Sequence, residues 1–206
     1  MSTPHIAIIH INSFPAEMFS DFRKKISAEN LNFQIDSREE SGPFGALEWL
    51  IPTAVIVYLG KSYFDSFLKE MGKDHYNLLK AGLKGLHDKV LGPSAPKVTL
   101  VSTAGKTSKD QPYSLVYSIL AESDAGFTFK LLIQTEATEQ EYEEILDAFL
   151  AFLVSFHAHS LESEAKEQLR EARIVSRTLL LAFNKETKAI EPIDPIQKNL
   201  PPRSEA

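Results

Sequence analysis

The chain has 206 residues, 43% of them apolar, with 28 acidic against 22 basic side chains and no cysteine. That length supports one sizeable core, so a single domain over 1–193 with a peripheral tail over 194–206 is expected. A net charge of −6 suits solubility and works against a phosphate-backbone partner, while the lack of thiols excludes disulfides and thiolate metal sites and fits the cytoplasm.

Met1 to Ile9 lacks the basic run and small-residue cleavage pattern of a secretory signal. His5 to Ile11 reads as a buried first strand. Ser13 and Pro15 then supply a cap and a first-turn proline for a helix over 15–28, with Met18, Phe19, Phe22 and Ile26 on its apolar face. A short strand over 32–35 precedes a polar Gly/Pro loop over 36–45, and one or two helical turns over 46–50 end before Pro52. Ala54 to Leu59 is an apolar strand bounded by Pro52 and Gly60.

From 64 to 91 the apolar positions recur in steps of three and four, which predicts a helix, with either a break or close packing near Gly72. Segments 98–103, 113–120 and 127–134 are β-patterned with short polar linkers, so three neighbouring antiparallel strands are expected. Thr138 and Glu141 have capping-box spacing at the start of a helical stretch over 138–173, apolar in its first half and charged in its second. Thr178 to Phe183 is a further strand. The apolar stretches 49–59 and 145–156 are shorter than the roughly 20 residues of a membrane span. The fold class is therefore α/β: a mixed sheet, parallel in its first half and antiparallel in its second, packed by three main helices over 15–28, 64–91 and 138–173.

Gly60-Lys61-Ser62 and Gly105-Lys106-Thr107 look like the end of a phosphate-binding loop, but that loop needs a glycine where Val55 and Leu100 stand. Gly60-Lys61-Ser62 still lies between a strand and a helix, where amides can hold an anion. The histidines offer no ligand set, since His157 and His159 diverge on a helix and His5 and His10 diverge on a strand. His75 beside Asp74 is a candidate base. Asp36, Glu39, Glu40 and Glu48 are expected on the rim at the carboxyl ends of the strands, where open α/β sheets bind ligands, with Trp49 as a stacking platform.

Residues 5–71, and above all Ala54 to Tyr63 followed by Phe64 to Glu70, resemble the first half of a Toll/interleukin-1-receptor (TIR) domain. In such domains the loop after the second strand corresponds to Ser37 to Gly45, with Gly42-Pro43 in place of Pro-Gly. The resemblance implies NAD as substrate, nicotinamide removal or signalling by self-association, and Glu70 as the catalytic carboxylate. Trp49, Gly60, Lys61, Ser62 and Tyr63 are then candidate nucleotide-binding residues. Two other classes remain open: a non-catalytic interaction or oligomerisation module using 138–173, and an enzyme of another type using Asp74 and His75.

Overall fold

The isoleucine-rich run Ile6–Ile11 forms strand β1, buried at all but one position. The computed structural model describes residues 3–39, 48–96 and 112–195, with the side chains of Glu48, Ser66, Glu70 and Met71 outside that description. A 3-10 turn over Ala16–Phe19 leads into helix α1, Ser20–Ile26, which turns Phe19, Phe22 and Ile26 inward. Strand β2, Phe33–Arg38, runs past its expected end into the segment read as loop. The cause is pairing: Asp36, Ser37 and Arg38 lie in register with Ile9, His10 and Ile11, which satisfies backbone groups that local polarity alone would leave to water.

Strand β3, Val55–Leu59, is followed by a π-type turn over Tyr63–Phe67 and by helix α2, Leu68–Leu91. At Gly72 the backbone leaves helical geometry, with φ 68° and ψ −157°, so the helix breaks there. An added Cβ at Gly72 would meet nothing within 4 Å; close packing falls instead at Gly82, where a Cβ would lie 3.1 Å from Phe22 and Ile26 of α1. Strands β4, Tyr113–Glu122, and β5, Thr128–Gln134, form a hairpin. Its turn is closed by Ser123, whose Oγ donates to the Phe127 carbonyl and accepts from the Phe127 amide.

The stretch over 138–173 divides into α3, Glu139–His157, and α4, Ser163–Glu171. The expected capping box is formed between Thr138 and Glu141. Tyr142, Ile145, Leu146, Phe149, Leu150, Phe152 and Leu153 all face inward, so the apolar half packs into the protein's own core, whereas α4 buries no residue. Strands β6, Thr178–Asn184, and β7, Ala189–Ile193, complete the architecture.

The seven strands among the described residues join one mixed sheet in the order β2-β1-β3-β4-β5-β6-β7, the α/β class the sequence predicts. The directions alternate rather than divide into halves. Pairs β1·β2, β3·β4 and β5·β6 are parallel, while β1·β3, β4·β5 and β6·β7 are antiparallel. Segment 98–103 lies outside the described residues; β4 is flanked by β3 and β5, and β5 by β4 and β6, so the neighbours expected to come from a third antiparallel strand come from elsewhere. Alternate residues of the strands, such as Val55, Val57, Leu59, Tyr117, Ile119 and Leu131, share one hydrophobic cluster with α1, α2 and α3. No helix among the described residues is long and apolar enough to cross a membrane.

Candidate functional site at the carboxyl ends of β3 and β4

Parallel pairing brings Leu59 and Ala121 out side by side. The chain leaving β3 carries Lys61 and Asp65, the chain leaving β4 carries Asp124, and α3 ends at the same place with His157. Gly60 makes the first turn possible: its N–H donates to the His5 carbonyl at 2.8 Å, and a Cβ there would lie 2.4 Å from the Pro4 carbonyl oxygen. The Glu122 carboxylate accepts from the Lys61 amide at 2.9 Å and from the Tyr58 hydroxyl at 3.0 Å. An anion of the protein's own therefore takes the helix-start amide that a ligand phosphate would need. Ser62 makes no capping bond through its side chain.

Above this anchor the Lys61 ammonium lies 2.9 Å from Asp124 Oδ1 and 3.6 Å from Asp65 Oδ2. His157 is 6% exposed, stacked on Phe64 with ring centroids 4.7 Å apart and edge-on to Phe156. Its Nδ1 sits 3.4 Å from Asp124 Oδ1 and 4.0 Å from Asp65 Oδ1. Neither ring nitrogen has a hydrogen-bond partner among the described residues. Burial pushes the imidazole below its ordinary pKa, outweighing the pull of Asp124 and Asp65. For Asp124 the partial burial that would raise the carboxyl is outweighed by Lys61 and His157, which hold it below the usual carboxylate range. Hydrogen bonding to Asp124 keeps the Lys61 ammonium charged above its ordinary range.

The sequence candidates are scattered by the strand directions. Trp49 packs edge-on to Tyr113 at 5.3 Å, at the amino end of β4, and its carbonyl accepts from Lys130 at 2.9 Å. It therefore sits at the opposite end of β3 and β4 from Gly60 and Lys61. The single rim presumes strands of one direction, and β1·β3 is antiparallel, so the carboxyl ends of β1 and β2 lie at the Trp49 end. Asp36 and Glu39 are exposed; Glu40 and Gly105-Lys106-Thr107 fall outside the described residues.

Tyr63 is fully buried, and its hydroxyl is bonded to His75 Nδ1 at 3.0 Å, so it is core and not a stacking platform. His75 Nε2 meets the Ile26 carbonyl at 2.8 Å, while Asp74 is exposed; the paired base is replaced by a buried structural histidine. The backbone of Glu70 lies in α2, and its side chain is outside the described residues. Sequence reasoning missed Asp65, Asp124 and His157 as a set. Asp65 was in the segment of TIR resemblance, but Asp124 reads as a turn residue and His157 as a lone helix histidine, and only tertiary structure joins them.

A surface groove of about 430 Å³ between α4 and β7 is lined by residues of both charge signs, including Glu171, Arg173, Glu191 and Asp194. It lacks a converging set, since Arg173 and Asp194 approach only to 3.7 Å. Comparison of the chain with protein-family models, curated proteins and solved structures finds no match in any of the three.

Proposed function

We propose that the chain acts on NAD or a related nucleotide, hydrolysing the bond between nicotinamide and ribose, with the cluster of Lys61, Asp65, Asp124 and His157 as its working site. The observation that supports this is the convergence of two carboxylates and a buried imidazole at the carboxyl ends of two parallel strands. In such a reaction the C1′–N bond breaks with its electron pair leaving on the nicotinamide nitrogen, which quenches the pyridinium charge. Positive charge builds on the ribose, where a facing carboxylate stabilises it, and water adds at C1′ as its proton passes to His157. The acidic surroundings and the Glu122 anchor favour contact with the cationic nicotinamide riboside over contact with the diphosphate.

Nicotinamide release from NAD, followed chromatographically with the purified chain, tests the proposal. Asp65→Asn is expected to lower turnover by about 100–1000-fold, the usual effect of removing one preorganised charge stabiliser. Loss confined to Glu70→Gln would move the reaction to the carboxylate that the TIR resemblance implies, and no release by the wild-type chain would end the proposal. The non-catalytic alternative rests on α4, which buries no residue, as a polar partner surface; the mass of the chain in solution tests self-association.

A further inference from the structure

The geometry points to a divalent transition-metal site formed by Asp65, Asp124 and His157, with the Lys61 ammonium as its built-in competitor. One ligand atom from each of the three residues lies within 4.8 Å of the others. His157 Nδ1 lies 3.4 Å from Asp124 Oδ1, matching the ligand spacing of about 3.4 Å that tetrahedral bonds of about 2.0–2.1 Å require, and 4.0 Å from Asp65 Oδ1, which is longer than that spacing. Movement of Asp65 towards His157 and Asp124 would close the set. The second observation is the imidazole itself: His157 is buried, its Nδ1 faces both carboxylates at 3.4 and 4.0 Å, and neither ring nitrogen meets hydrogen-bond geometry among the described residues. A buried polar group left unbonded is costly, and a metal bond to Nδ1 would remove that cost for the nitrogen that faces the carboxylates.

The ring is also held for the task. Stacking on Phe64 and the edge contact with Phe156 fix its plane, and the π-type turn that carries Asp65 is a distortion frequently found at functional positions. One imidazole and two carboxylates suit Zn²⁺, Co²⁺ or Mn²⁺, whereas Mg²⁺ and Ca²⁺ prefer an all-oxygen shell. Lys61 offsets one of the two negative charges, being 2.9 Å from Asp124 and 3.6 Å from Asp65. Its side chain is 42% exposed, so the ammonium has room to swing into water as a metal enters. This site shares its residues with the proposed hydrolytic site but does not depend on that reaction, because metal uptake is read by binding alone.

The experiment is calorimetric titration of the chelator-treated full chain with Zn²⁺, and with Co²⁺ read by visible absorption, each in a non-coordinating buffer. One metal per chain is expected, with a shift of the His157 ring resonances on Zn²⁺ addition. Losing a second-shell partner commonly costs about 10–100-fold in metal affinity, so losing a ligand in Asp65→Asn or Asp124→Asn should cost at least that. Lys61→Met should tighten binding by about fivefold, the equilibrium equivalent of a favourable surface ion pair. This variant removes an exposed side chain and so tests the idea without disturbing the core. Absence of one-to-one uptake, uptake indifferent to Asp65→Asn and Asp124→Asn, or unchanged affinity in Lys61→Met would each overturn the inference. Metal uptake without nicotinamide release would leave it standing and end only the proposed reaction.

Discussion

An alanine at position 60 would carry its Cβ to 2.4 Å from the Pro4 carbonyl oxygen, a backbone atom that cannot rotate away. Gly60→Ala is therefore expected to destabilise the chain by about 1–3 kcal/mol, as overpacking generally does, seen as a lower urea midpoint. Lys130 makes a different prediction. It is 4% exposed with no carboxylate paired to it among the described residues, its ammonium bonded to the carbonyls of Trp49 and Ile51, and burial lowers its pKa to about 8. Between pH 8 and the ordinary lysine value the unfolded chain binds more protons at this position, so its contribution to stability rises with pH across that window. The full rise is on the order of 3 kcal/mol, and Lys130→Met should remove it, checked by comparing urea midpoints of the two proteins at pH 7 and pH 10. Neither role is legible locally: a glycine after an apolar strand reads as a turn, and a lysine within a strand reads as its solvent side. The same holds for Tyr63, whose hydroxyl partner lies twelve residues on in a helix that must first fold against it.

Helix α3 owes its start to Thr138, whose side chain accepts from the Glu141 amide while the Glu141 carboxylate accepts from the Thr138 amide. Thr138→Ala should cost about 1 kcal/mol, measured as a fall in thermal midpoint. Glu141 is held down to about 2, first by Lys185 and then by its bonds to Thr138. Because its folded pKa is depressed, the stability it contributes is present above the ordinary carboxylate range and is lost as pH falls towards 2. Glu141→Gln should accordingly flatten the acid limb of the stability curve, readable by denaturation between pH 5 and pH 2. At Gly72 the backbone angles fall in a region essentially reserved for glycine, so Gly72→Ala should cost about 1–3 kcal/mol through strain, with no clash to add to it. Elements of this kind are the most legible level of the chain. Apolar periodicity marks α2 and α3, Thr138 and Glu141 mark a cap, and a glycine in a helical pattern marks a break. Boundaries are less so, since β2 extends through Asp36, Ser37 and Arg38 by pairing with a strand that their own side chains do not specify.

Across the whole molecule, strand order and direction are what the local pattern leaves open. An apolar run such as Val55 to Leu59 is compatible with either direction; the parallel choice beside β4 gathers Asp65 and Asp124, and the antiparallel choice beside β1 puts the carboxyl ends of β1 and β2 at the Trp49 end. The mixed α/β class was legible from the count and character of the segments, whereas the candidate site was legible only in Lys61. Its other members come from a π-type turn, a hairpin and a helix end that meet through long-range packing. Those long-range pairings also bear on how the chain reaches this state. Val55 pairs with Tyr117 and Thr128 with Thr178, so two of the three parallel ladders close loops of about 50–60 residues before they return any stabilisation. Refolding is therefore expected on a timescale of milliseconds to seconds rather than microseconds. The chain carries its own probe of that step: Trp49, its one tryptophan, packs edge-on to Tyr113 only after the segment before β3 has met the start of β4. Stopped-flow tryptophan fluorescence should thus report the slow docking of β4 against β3, and a Tyr113→Leu change should diminish the signal while leaving the β3·β4 backbone ladder in place.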